Sequence, residues 1–137
     1  MGGRLRERIS GPFRAKKSSD LSSVMRFIRC ACGSVEIEVL GAPIACTVCY
    51  CDTCQEGSRQ IEALNNAPKI LGPDGGTAYV LYRKDRINYS KGTELLKGLK
   101  IDEKSTTNRI IATCCNSAMV MRLADAMHWV PMYRVRF

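Results

Sequence analysis

The chain has 137 residues, 45% hydrophobic and 25% charged, enough for one domain with a modest core. No run of about 18 apolar residues is present, and no apolar segment follows the basic N-terminus, which excludes a membrane span and a secretory leader. Residues 1–29 hold eight Lys or Arg against Glu7 and Asp20, so most of the +8 net charge lies there; a near-neutral remainder without a basic, aromatic-rich motif argues against a nucleic-acid partner.

Residues 1–24 are rich in Arg, Lys, Ser and Gly and have little apolar periodicity. They are expected to form a disordered basic extension, because so little apolar surface cannot offset the entropy of ordering. An organellar transit peptide, a basic arm for anionic partners, or a translation start that belongs at Met25 are the alternatives. Residues 25–137 are expected to form one β-domain.

Met25–Arg29 alternates weakly and runs into Cys30-Ala31-Cys32-Gly33. Ser34–Leu40 carries the clearest strand pattern, with Val35, Ile37 and Val39 on one face and Glu36 and Glu38 on the other. After the turn signal Gly41-Ala42-Pro43, Ile44–Val48 reads as a more buried strand with Cys46 as a small buried thiol, a minor candidate for ligation. Asp52 or Thr53 is placed to cap a short helix through about Asn65 that buries Ile61 and Leu64. Cys54 then falls in the first helical turn, where the helix dipole favours a thiolate. Pro68 and Gly72-Pro73-Asp74-Gly75-Gly76-Thr77 mark a loop. Short strands are expected at Ala78–Tyr82, Ile87–Ser90, Leu95–Ile101, Thr107–Thr113 and Ala118–Leu123, with a closing strand near Tyr133–Phe137. Such lengths and spacing suit an antiparallel system rather than βαβ units.

Eight cysteines without a secretion signal point to a reducing, cytoplasmic setting, in which clustered thiols hold metal more often than they form disulfides. Cys49, Cys51 and Cys54 follow a C-x-C-x-x-C spacing, whose second half resembles the knuckle of zinc ribbons. Cys30 and Cys32 pair with Cys114 and Cys115 across some eighty residues, as a structural zinc would staple a small β-domain. Successive side chains in a strand point to opposite faces, so Cys114 and Cys115 need a kink at Asn116 to share one ion. Otherwise Cys115 joins the staple and Cys114 closes the first cluster. A closed four-cysteine site is structural, whereas a three-cysteine site keeps a position for water or substrate. Asp52 and Glu56 flank the cluster as proton carriers or helix caps. His128, the single histidine, stands beside Trp129 and reads as structural rather than catalytic.

The pattern Cys30-x-Cys32-Gly33-x-Val35, Gly41-x-Pro43 and Cys49-x-Cys51-x-x-Cys54-Gln55 resembles the glutathione-dependent formaldehyde-activating enzyme family, which includes the centromere protein V domain. With Gly75-Gly76-Thr77 and Cys114-Cys115-Asn116, the chain looks like a bacterial subgroup of that family that has a late Cys-Cys-Asn motif. The resemblance implies a mainly β, Mss4-like fold with two zinc ions. Cys30 and Cys32 would take the structural site, and Cys49, Cys51 and Cys54 the site proposed as catalytic. It implies a carbon–sulfur lyase that joins glutathione and formaldehyde. The family's Phe-Cys-x-x-Cys-Gly is replaced here by Ile111-Ala112-Thr113-Cys114-Cys115-Asn116, and Tyr50 stands where His is common. A non-enzymatic binding module, with both zincs structural, is the competing expectation.

Overall fold

The structure is a computed structural model that describes residues 24–124 and 128–137. The extension expected over residues 1–24 lies outside them, apart from Val24. Among the described residues, nine strands and one α-helix make two antiparallel sheets and a helical layer.

The small sheet has the order β1-β2-β5. Strand β1 (Met25–Arg29) pairs with β2 (Glu36–Leu40), placing Ile28 opposite Ile37, and β2 pairs with β5 (Ile87–Lys91). The alternation of Val35, Ile37 and Val39 sends all three into the core with no exposed surface. The outward Glu36 meets Arg29 across the pair, an exposed contact that contributes little to stability.

The larger sheet has the order β3-β4-β9-β8-β7-β6. Its strands are β3 (Ala45–Cys49), β4 (Thr77–Arg83), β6 (Leu96–Leu99), β7 (Thr107–Ala112), β8 (Ser117–Leu123) and β9 (Trp129–Tyr133). Period two divides its side chains between two cores. Val80, Tyr82, Ile110, Ala112, Val130 and Met132 pack against Ile28, Ile37 and Val39 of the small sheet. Tyr79, Ile111, Met121 and Tyr133 on the opposite face pack against helix α1 (Asp52–Glu62) through Cys54 and Ile61.

Three expectations are corrected. The closing strand is Trp129–Tyr133, and Arg134–Arg136 is a 3-10 turn. Pro131 hides this strand in the sequence, since proline is rare between two strands. It is accommodated because the paired register between β9 and β8 is confined to Met132 and Val120. Cys46 is exposed, not buried. It lies on the edge strand β3, beside a cleft lined by Arg26, Tyr82, Arg134 and Phe137. Helix α1 is introduced by Cys51, not by an Asp52 or Thr53 cap, and ends at Glu62, three residues short of Asn65.

Candidate metal centres

The first centre forms where two turns meet. Strand β1 ends at Arg29, and the following Cys30-Ala31-Cys32-Gly33 folds back on itself. Gly33 at φ +82° donates its N–H to Cys30 O at 3.0 Å. On the other sheet β7 ends at Ala112, so Cys114 and Cys115 lie in the turn before β8, with Asn116 at φ +56°. Being in a turn frees them from strand alternation. The sulfurs of Cys30, Cys32, Cys114 and Cys115 all lie within 4.8 Å of one another. Cys30 Sγ is 3.7 Å from both Cys32 Sγ and Cys114 Sγ, and Cys114 Sγ is 3.9 Å from Cys115 Sγ. Four sulfurs at about 2.3 Å from a tetrahedral ion would stand about 3.8 Å apart, so this donor set fits one. The Val35 N–H donates to Cys30 Sγ at 3.2 Å, which fixes the orientation of that sulfur. Ser117, buried, accepts the Ala31 N–H at 2.9 Å and holds the two turns together.

The second centre is local. Cys49 ends β3, Cys51 introduces α1 and Cys54 lies in its first turn. Their three sulfurs also lie within 4.8 Å of one another, Cys49 and Cys51 at 3.3 Å. Cys114 groups with the first centre, so the described residues gather three sulfurs here and four there. Cys51 is exposed, Cys49 half-buried and Cys54 buried. Without an ion the thiols differ sharply. Hydrogen bonds from the Thr53 hydroxyl and the Cys54 N–H hold Cys51 at about 6, while burial and its cysteine neighbours push Cys54 up to about 12. Burial therefore opposes the expected dipole effect at Cys54. In the first centre, contacts with Ser34 hold Cys32 at about 6, and burial raises Cys114 to about 12. Cys115 is also lowered, its burial outweighed by its hydrogen bonds, that with Ser117 foremost. Lowered and raised thiols thus stand side by side in each cluster and describe protons shared among sulfurs, which a divalent cation would displace.

Residues outside the ligand set surround the second centre, and of these Tyr79, Arg109 and Gly57 were not singled out by the motif reading. Tyr50 packs over Gly76, where a Cβ would fall 2.6 Å from its ring, and its hydroxyl donates to Asp74 at 2.6 Å. Gln55 Nε2 donates to Tyr50 O at 2.8 Å, fixing the turn between the ligands. Beneath the helix, Tyr79 OH donates to Cys54 Sγ at 3.7 Å, and the buried Arg109 donates from Nη2 to Thr53 O at 3.2 Å. A glycine in mid-helix (Gly57) and an arginine on the inward face of an apolar strand were the available signals. His128 is exposed, next to Trp129, which pairs with Arg83 at the far end of β4 from the Thr77–Cys49 pairing. Six residues of strand put about 20 Å between it and the second centre.

Fold and sites together define a small antiparallel β protein whose two cysteine clusters could each hold a metal ion. Residues 25–69 match the family model of the glutathione-dependent formaldehyde-activating enzyme, a span holding Cys30, Cys32 and the C-x-C-x-x-C run. A crystal structure of a Rhodobacter sphaeroides protein has a similar fold, with a TM-score of 0.57 at 16% identity over 82% of this chain and 87% of that one. No curated protein matches the chain. No helix among the described residues is long and apolar enough to cross a membrane.

Proposed function

We propose that the chain binds two zinc ions, a structural one at Cys30, Cys32, Cys114 and Cys115 and a second at Cys49, Cys51 and Cys54. The second serves a carbon–sulfur lyase-like reaction on the adduct of an aldehyde with glutathione or another small thiol. The unequal ligand count, three sulfurs against four, carries this reading. Thiolate ligands favour zinc among common divalent ions, and a tetrahedral site with three protein ligands keeps a position for an exchangeable group.

Joining a thiol to formaldehyde forms one C–S bond, breaks the carbonyl π bond and moves the thiol proton to oxygen; cleavage is the reverse. A bound zinc would stabilise the thiolate or polarise the carbonyl oxygen. Three thiolates leave the site with a formal charge of −1, which weakens Lewis acidity and favours exchange of a soft thiol. Cys49, Cys51 and Cys54 would hold the ion, and Tyr50, between two of them in sequence, is anchored by its hydroxyl on Asp74. Asp52, in the first helical turn, is a better placed proton carrier than Glu56, which engages Gln60 at 3.0 Å.

A second reading, a zinc-stabilised binding module, is favoured by the exposed Ile44, Val48 and Tyr50 along the edge of the large sheet. Metal analysis and NMR with ¹³C-formaldehyde and glutathione separate the two. The enzyme reading expects two zinc ions per chain, glutathione-dependent consumption of formaldehyde, and loss of one ion and of turnover in Cys51→Ser. Two ions without turnover of any thiol adduct would refute the enzyme and leave the module.

A further inference from the structure

Arg109 is the largest fully buried side chain, with 1% of its surface exposed. It enters from β7 on the face that packs against α1. Such a charge is normally paired with a carboxylate, because an unpaired buried ion costs several kcal/mol. Among the described residues no carboxylate lies within ion-pair distance of it. Its Nη2 donates to Thr53 O, in the peptide that links to Cys54, while Nε and Nη1 have no hydrogen-bond partner. A Cβ at residue 57 would collide with Arg109 Nε, so the helix carries glycine where the guanidinium passes beneath it. The space is shaped to this cation.

Its surroundings lead to sulfur. Tyr79 OH donates to Cys54 Sγ, and the Tyr79 and Tyr133 rings stand 5.1 Å apart. The Tyr133 hydroxyl lies beside both Tyr79 and Arg109 without a well-formed hydrogen bond of its own. A phenol is ordinarily neutral near pH 7, so neither tyrosine supplies an anion. Through Thr53 O, Arg109 is tied to the helix turn that carries Cys54 and so to the cysteine cluster. A divalent ion with three thiolates carries −1, and one guanidinium balances it.

We propose that Arg109 is the counter-charge and positioning residue of the Cys49/Cys51/Cys54 centre, neutralising the trithiolate site from below and holding the Thr53–Cys54 turn in ligating geometry. This rests on the three-cysteine centre proposed above. Arg109 touches no substrate. The four-cysteine centre receives no comparable contact from it, so its effect is confined to one of the two ions.

The test uses the full chain loaded with cobalt(II), whose thiolate charge-transfer absorption reports sulfur ligation and whose affinity is read by chelator competition. Arg109→Gln is expected to weaken the second centre at least tenfold and leave the first within threefold of wild type. Arg109→Lys, which keeps the charge, is expected to retain most of the affinity. Cys51→His, which makes the centre formally neutral, should reduce the effect of Arg109→Gln to less than threefold. Equal affinities in wild type and Arg109→Gln overturn the proposal, as do equal losses in the Lys and Gln variants. Should Arg109→Gln fail to fold, recovery of fold and cobalt binding in Cys51→His/Arg109→Gln supports the counter-charge, and no recovery overturns it. A wild-type chain that takes up a single cobalt removes the three-cysteine centre itself, a failure seen before any Arg109 variant is made.

Discussion

Ser117 shows how much one hydroxyl can arrange. It is buried, accepts the Ala31 N–H at 2.9 Å, stands 3.0 Å from Cys115 Sγ and receives Arg136 Nη1 at 3.3 Å. Ser117→Ala strands a backbone donor between two ligand turns and is expected to cost about 1–3 kcal/mol in urea unfolding of the metal-loaded protein. It should also speed loss of metal from the four-cysteine centre, followed with a chromogenic chelator. At this scale the ligand residue types were readable from spacing, because C-x-C and C-x-x-C are short-range patterns. Cys46 was misjudged because its burial depends on which strands flank β3, and local alternation does not carry that information. Arg109 was hard to read for a related reason: its surroundings come from β4, β9 and α1, and only its place in an apolar strand and the mid-helix Gly57 hinted at them.

Helix α1 is held at both ends by different physics. Its first turn has no side-chain cap bond and is tied down by Cys51, Cys54 and the grip of Arg109 on Thr53 O. Its last turn is fixed by Ile61, fully buried against the large sheet, and by Glu62, whose carboxylate accepts the N–H groups of Ile70 and Leu71 at 2.6 and 2.8 Å. Ile61→Ala is expected to lower stability by about 2–5 kcal/mol, measured by chemical denaturation, while leaving the cobalt spectrum unchanged because the ligands are two turns away. The burial of Ile61 was legible in the sequence, and so were most strand positions, since Val35, Ile37 and Val39 repeat with period two. The last strand was not. Pro131 argues locally against a strand, and only the short ladder between β8 and β9 makes it tolerable there.

In the whole molecule the four-cysteine centre joins the two sheets, with Cys30 and Cys32 at the end of β1 and Cys114 and Cys115 between β7 and β8. An ion there would contribute about 10–16 kcal/mol of apparent binding, against a typical domain stability of about 5–15. Excess chelator should therefore abolish cooperative thermal unfolding. Cys30→Ser should reproduce that loss, and Cys51→Ser should lower the midpoint far less, both read by circular dichroism. The antiparallel class was legible because short strands recur at regular spacing. Which strand joins which sheet was not, since β5 leaves its sequence neighbours to pair with β2.

The two clusters differ in how much chain separates their donors. Cys49, Cys51 and Cys54 occupy six consecutive positions, whereas Cys30 and Cys114 are 84 residues apart. A chelate within one short peptide needs almost no chain closure, while the other must first bring distant segments together. On a ribosome the near cluster is complete once Cys54 has emerged, and the far one waits for Cys115, which sets the order in which a nascent chain would acquire ions at the two clusters.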